Sequence, residues 1–320
     1  MGGMTDTPPE VRAEIDGVAG AVEAQVPTKT ADNLLIATWN LRAFGNLTPA
    51  WNAGAGSRPK RDWRAVALIA AVVSHFDVVA VQEVRRNLTA LRFLISQLGP
   101  GWRLVTSDVT VGDDGNDERL TFVYDSTRVQ PSGLVGELVL PPTLNQPARQ
   151  FARSPYAVSF RRGEVDFILT TAHIIWGGRA EDRLPEITEL AKWMRTWADR
   201  RNDWNVNLLV LGDFNLDRLG NPLFDAFVST GLWPPAELND IPRTIFDNNR
   251  NRHFYDQIAW FTDVEKNPPV DLLTEMIYTN RAGSFDFLPH VFPGLTARDI
   301  SWRISDHYPL WAEFRLLPGG

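Results

Sequence analysis

A chain of 320 residues, 44% hydrophobic and 22% charged, has the composition of a folded globular protein and excludes a disordered or fibrous one. Having no cysteine, it offers no disulfide framework, no thiolate metal site and no thiol nucleophile. Its net charge of −7 argues against a sequence-independent nucleic-acid coat, which phosphate neutralisation would make basic, yet it leaves room for a local arginine face. No run approaches the roughly 18 to 20 apolar residues of a membrane span. The N-terminal TDTPPEVRAEID lacks the basic-then-apolar order of a signal peptide. A processed secreted protein would look the same, so cytoplasmic and secreted locations both stay open.

Residues 1–32 are rich in Ala, Glu, Thr and Pro, with weak helical periodicity around Val11 to Val26, and read as a tail or peripheral helix. The folded body is expected over 33–317, with 318–320 as a C-terminal tail. The first apolar run, LLIATW, ends at Asn40. An amphipathic helix follows from Asp62 to Phe76, with Trp63, Val66, Ala70, Val73 and Phe76 near one face. DVVAVQ then ends at Glu83, and Asn87 is placed to cap a helix that stops before Gly99-Pro100. Strands are expected at 120–124 and 156–160, and DFILTTA ends at His173. A helix over Leu184 to Arg201 precedes NLLVLG, which ends at Asp213 with Asn215 two residues on. Further strands are expected at 257–261 and 310–316. Nearly continuous apolar runs rich in Val, Ile, Leu and Thr read as strands buried on both faces. Strands dominate and helices flank them, so the expected class is α+β, a four-layer αββα sandwich of two mixed sheets.

Four runs end in residues that bind metals or move protons. Any one alone is more often a turn former, a helix cap or a satisfied core histidine. Together they match what phosphodiester hydrolysis requires: a metal to polarise the phosphoryl oxygen, a base for water and an acid for the leaving oxygen. Glu83, Asp213 and Asp306 supply carboxylates, Asn40 and Asn215 supply amide oxygens, and His173 and His307 can transfer protons near neutral pH. Hard cations prefer such oxygen ligands.

WNLR at 39–42, QE at 82–83, AH at 172–173, GDFN at 212–215, YDQI at 255–258 and SDHYP at 305–309 occur in this order. As a series over residues 34–316 they resemble the endonuclease/exonuclease/phosphatase superfamily. NLRAFG at 40–45, QEVR at 82–85 and FARSP at 151–155 are similar to its deoxyribonuclease I-like branch. The resemblance implies Glu83 as principal metal ligand, assisted by Asn40 and Asp306, with Mg²⁺ as the ion and Mn²⁺ or Ca²⁺ as alternatives. It implies that Asp213 and Asn215 hold the scissile phosphate and a water, or a second metal. His173 and His307 would be the acid/base pair, oriented by Glu118 and Asp256 respectively. Arg42 and Arg153 would touch phosphates, and Arg85 would enter a minor groove. Two departures stand out: Asn116 takes the place of a tyrosine beside the acid/base site, and the disulfides of the secreted vertebrate enzyme are absent.

His75, His253 and His290 belong to no motif and read as structural or surface residues. The acidic loop from Asp113 to Glu118 departs from EF-hand spacing and reads as solvated, Glu118 excepted. Most of the 12 tryptophans read as packing, with Trp176 and Trp302 near the proposed site. Arg58, Lys60, Arg61 and Arg64 form a candidate basic patch whose default reading is a solvated helix start. The resulting expectation is a monomeric, Mg²⁺-dependent endonuclease that nicks DNA with little sequence preference and needs no protein partner. The alternatives keep the chemistry on another phosphoester: a sphingomyelinase-like, inositol-phosphate or nucleotide substrate, or an abasic site in repair.

Overall fold

The computed structural model describes residues 6–111, 115–142, 150–200, 202–248 and 253–317. In chain order the chain forms α1 (Pro9–Glu23), β1 (Asn33–Phe44), α2 (Trp63–Val73), β2 (Val78–Arg85), α3 (Thr89–Leu98), β3 (Trp102–Thr106) and β4 (Glu118–Asp125). Then come β5 (Gln130–Glu137), β6 (Tyr156–Arg162), β7 (Val165–His173), α4 (Ala180–Ala198), β8 (Leu208–Leu216) and α5 (Pro222–Val228). The last are β9 (Leu232–Trp233), β10 (Phe254–Asp263), β11 (Val270–Asp271), β12 (Met276–Ser284), α6 (Ala297–Ser301) and β13 (Leu310–Leu316).

The strands make two sheets. One has the order β12-β13-β1-β2-β4-β3; the other runs β11-β10-β8-β7-β6-β5, with β9 on β10. Each holds one parallel pair near its centre, β1 with β2 and β7 with β8, among antiparallel neighbours. The apolar runs are continuous because both strand faces are covered. On β1, Leu34 and Ile36 face the opposite sheet among Phe122, Leu169, Leu211 and Phe314. Their neighbours Leu35 and Ala37 face Val66, Ile69 and Val73 of α2. On the second sheet Ile168 and Val210 pack outward against Ile187, Leu190 and Met194 of α4. The period-two alternation thus serves two cores at once, giving helix, sheet, sheet, helix. The four-layer α+β sandwich expected from the sequence is the observed fold.

Several boundaries differ. The helix expected over 62–76 spans Trp63–Val73; Asp62 lies outside it as the N-terminal cap, accepting the Ala65 N–H at 3.0 Å. At its other end Phe76 N–H bonds Val73 O in the tight turn into β2. Asn87 does accept the Thr89 N–H at 2.9 Å, but from one residue before the helix boundary. The helix expected from Leu184 starts a turn earlier at Ala180 and ends at Ala198; Arg201, its expected end, lies outside the described residues. So do Asp113 and Asp114 of the acidic loop, and 318–320. Ahead of β1, α1 buries Val11, Val18 and Val22 and packs beside α2.

Beneath the site one polar bridge joins the sheets. Gln82, fully buried on β2, donates to Thr38 Oγ1 of β1 at 3.1 Å and to Thr171 Oγ1 of β7 at 2.9 Å. At the other end of β2 the buried Asp77 is ion-paired with Arg128 and Arg162 and accepts the Leu35 N–H at 2.8 Å.

Candidate active site

Register lines up the second sheet's contribution. His173 on β7 lies beside Asp213 on β8, and Asp213 lies opposite Asp256 on β10, so three functional side chains stand in one row across neighbouring strands. Gly212 makes the row possible: with φ 143° it packs so close to Ala172 that a Cβ would fall 2.1 Å from the Ala172 carbonyl oxygen. Asn215 follows at φ 50°, its Nδ2 donating to Ile174 O at 2.7 Å and its N–H to Asp213 Oδ1 at 3.0 Å.

The first sheet adds its residues through distorted backbone. The strands expected to stop at Asn40 and Glu83 instead continue, to Phe44 and Arg85, with a register shift between Asn40 and Phe44. Arg42, Ala43 and Glu83 all have positive φ, at 33°, 49° and 59°. Backbone held in such sparsely populated regions costs on the order of 1–3 kcal/mol per residue and clusters where it aims functional groups. Here it turns Glu83 so that its Oε2 accepts the Ala43 N–H at 2.7 Å while Oε1 accepts from Asn40 Nδ2 at 3.1 Å. Asn40 Nδ2 also reaches Asp213 Oδ2 at 3.0 Å, linking the sheets. Arg42 pairs with Asp306 at 3.0 Å, donates to Ser301 Oγ at 2.8 Å, and lies over the Trp302 ring at 3.9 Å.

Each imidazole is paired with a carboxylate from the opposite sheet. His173 of the second sheet places Nδ1 2.9 Å from Glu118 Oε2 on β4 of the first. His307, in the turn leading into β13 of the first sheet, places Nδ1 2.6 Å from Asp256 Oδ2 on β10 of the second. Trp39 Nε1 holds the His307 carbonyl at 2.8 Å, and Ser305 Oγ accepts the His307 N–H at 3.0 Å. The two free Nε2 atoms converge on one oxygen, Asp213 Oδ2, at 3.7 Å from His173 and 3.8 Å from His307.

Electrostatics follow from these neighbours. Burial pulls the His307 imidazolium toward deprotonation, but Asp256 and Asp213 outweigh it and hold the group well above the ordinary histidine value. Burial would raise Glu118, yet His173, Arg153 and Arg85 hold it down at about 2. Burial raises the Asp306 carboxyl, and the neighbouring Glu83 charge adds to that against the pull of His307 and Arg42.

All twelve residues singled out from the sequence come together here, with two in unexpected surroundings. Arg153, read as a phosphate contact, is 10% exposed and lies against Glu118 Oε2 at 2.5 Å. Arg85 spans Glu118 at 3.3 Å and Glu83 at 3.7 Å. Asn116 is not idle, since its Nδ2 donates to Glu118 Oε1 at 2.6 Å.

Among the described residues, several escaped the sequence reading. His253, read as structural, lines the cavity with Nδ1 2.7 Å from the buried Asp247, and its ring stacks on Tyr255 at 4.6 Å. Tyr255 meets Trp176 at 5.5 Å, so an aromatic wall bounds a cavity of about 340 Å³ that holds Glu83, His173, Asp213, Asn215, Asp306 and His307. Arg183 braces that wall, lying 4.4 Å over Trp176 and donating to Asn215 O at 2.8 Å. Arg243, fully buried, donates to the Asp256 carbonyl at 3.2 Å. The only available sign was the unusual clustering of His253 and Tyr255 just ahead of Asp256.

The donor set suits a hard divalent cation. Glu83 and Asp306 offer carboxylate oxygens and Asn40 an amide oxygen, and the Glu83 charge that helps raise Asp306 is what a shared cation would offset. Asn40 presents its amide nitrogen to the carboxylates while its Oδ1 accepts the Arg42 N–H at 3.0 Å, so offering its oxygen to a cation would take an amide flip that gives up that bond. Glu83, Glu118 and His173 also place one ligand atom each within 4.8 Å of one another, as do Asp213, Asp256 and His307.

No family model matches the chain. Over 303 residues it is 29% identical to a protein named deoxyribonuclease from Thioalkalivibrio sp. (strain K90mix), covering 90% of this chain and 73% of that one. An endonuclease/exonuclease/phosphatase family protein from Bacteroides thetaiotaomicron superposes with a TM-score of 0.56 at 19% identity, covering 88% and 97% of the two chains. The mannosyl-6-phosphatase of Bacteroides thetaiotaomicron VPI-5482 superposes with a TM-score of 0.58 at 20% identity, covering 88% and 99%.

Proposed function

We propose that this chain, which has the endonuclease/exonuclease/phosphatase fold, is a divalent-metal-dependent phosphodiesterase that nicks DNA with low sequence preference. The observation that carries the reading is the convergence of two carboxylate-paired imidazoles on one point. His173 Nε2 and His307 Nε2 lie 3.7 and 3.8 Å from the same oxygen of Asp213.

Glu83 and Asp306 would hold the cation, with Asn40 contributing its amide oxygen. The bound ion supplies polarisation of the phosphoryl oxygen. The remaining steps belong to side chains. One imidazole takes a proton from the attacking water and the other returns one to the leaving oxygen. Each carboxylate partner, Glu118 or Asp256, fixes its ring by accepting the Nδ1 proton, so that Nε2 faces the substrate. Asp213 and Asn215 position the phosphate and the water, and Arg42 neutralises the charge that gathers on the non-bridging oxygens. Arg85 and Arg153 contribute by anchoring Glu118.

DNA as substrate is supported by the likeness to a protein named deoxyribonuclease and by Arg42, which pairs with Asp306 beside the cavity. Supercoiled-plasmid nicking tests the reading, with Mg²⁺, with EDTA, and with His173→Ala. Metal-independent cleavage or full activity in the variant would sink it. A second reading, hydrolysis of a small phosphate ester, draws on the −7 charge and the likeness to a mannosyl-6-phosphatase. It predicts turnover that responds little to ionic strength, whereas DNA cleavage should weaken steeply with salt.

A further inference from the structure

A second cavity of about 410 Å³ is lined by Arg42, Ala43, Arg58, Pro59, Lys60, Arg61 and Trp302. It gathers four cationic side chains, and the reaction outlined above uses only Arg42. Its floor is a buried charge. Arg61 is 3% exposed, and its guanidinium donates to backbone carbonyls: Leu41, Arg42, Ala43, Arg303 and Ile304, at 2.8 to 3.0 Å. Those carbonyls satisfy its hydrogen bonds but do not cancel its charge, and a buried cation without a counter-ion is costly. The carboxylates that act on it, Glu83 and Asp306, are those proposed to hold the metal. Were a divalent cation to take their charge, the cavity floor would attract an anion more strongly.

The walls fit the same ligand. Lys60 is tethered by Asp299 at 2.7 Å on the cavity rim, and Arg58 is exposed and bonded to the Ser57 carbonyl at 2.8 Å. Trp302, 45% exposed, stands under the Arg42 guanidinium. Arg42 is shared between the two cavities, since it lines this one and pairs with Asp306 of the other.

We infer that this cavity is a subsite for the phosphodiester group adjacent to the scissile one on the same nucleic-acid strand, with Arg58 and Lys60 as its specificity-determining contacts. The inference rests on the phosphodiesterase reading and deepens it: an enzyme for small phosphate esters has no use for a second anion site that shares Arg42 with the first.

The test compares wild type with Arg58→Ala, Lys60→Gln and the double variant on a 20-nucleotide DNA duplex and on bis(p-nitrophenyl) phosphate, which has one phosphate. The double variant should raise KM for the duplex about tenfold. It should flatten the salt dependence by about one unit of slope per cation removed, and hydrolyse the small ester at the wild-type rate. That unchanged rate also shows the variant to be folded. Duplex kinetics and salt slope equal to wild type would overturn the subsite and leave the enzymatic reading standing. Wild-type protein that turns over the small ester but cleaves no nucleic acid would overturn both.

Discussion

His173 and His307 lie on opposite sheets, yet their Nε2 atoms stand 3.7 and 3.8 Å from the same Asp213 oxygen. Proton transfer from two sides requires such convergence. It follows that removing either imidazole stops the cycle at one half. His173→Ala and His307→Ala should each lower kcat for DNA nicking by about 10² to 10⁴. The double variant should be little worse than the worse single one, because the two act as a unit. Multiplying losses would show independent roles.

The Asp256 carboxylate acts on His307 in a direction a pH profile can read. It holds the imidazole well above its ordinary value, against the opposing effect of burial. In Asp256→Asn that support is gone, so the limb of the kcat profile governed by His307 should move to lower pH while the other limb stays. Movement to higher pH, or no movement, would mean that Asp256 does not set the charge of His307.

Glu118 links the site to acid stability. Its folded value of about 2 lies below the ordinary 4.5 despite burial, because His173, Arg153 and Arg85 favour the charged form. A carboxyl depressed in the folded state stabilises it above the unfolded value and loses that contribution as pH falls from about 4.5 through about 2. The contribution amounts to about 3 kcal/mol. Urea midpoints should therefore fall between pH 5 and pH 2.5 in the wild type, and fall less in Glu118→Gln. Parallel decline in both proteins would remove Glu118 as a source.

Metal removal should silence the enzyme without unfolding it. EDTA should abolish nicking, and added Mg²⁺ should restore it and raise the melting temperature through binding to the folded state. Glu83→Gln should raise the Mg²⁺ concentration needed for half-maximal activity at least tenfold. An unchanged requirement would exclude Glu83 as the main ligand.

Much of this was legible in the chain because two physical signals are strong. Strands covered on both faces must be apolar throughout, so LLIATW and NLLVLG announce central positions and the polar residues after them announce a rim. The rest was hidden for equally physical reasons. The strained turn that carries β1 past Asn40 depends on tertiary hydrogen bonds such as Ala43 N–H to Glu83, which no local preference encodes. Edge strands such as β5 and β12 mix exposed and buried positions and contain glycine, so their alternation is weak. The first two turns of α4 are polar because they bury Arg183 and Glu186, whose partners are the Trp176 and Asn215 carbonyls and the Ala152 and Ile175 N–H groups. His253 was read as structural because its partner Asp247 precedes it by six residues, a spacing that no helical or strand periodicity in the sequence marks.

Both imidazole–carboxylate pairs are completed across the sandwich, so neither sheet alone holds a complete pair. Separating the layers by even an ångström would uncouple both rings at once, long before any strand melted. Catalysis should then serve as a sensitive gauge of global cohesion. In a denaturant titration, turnover should vanish at or before the fall in tryptophan fluorescence, with no intermediate that keeps one dyad alive.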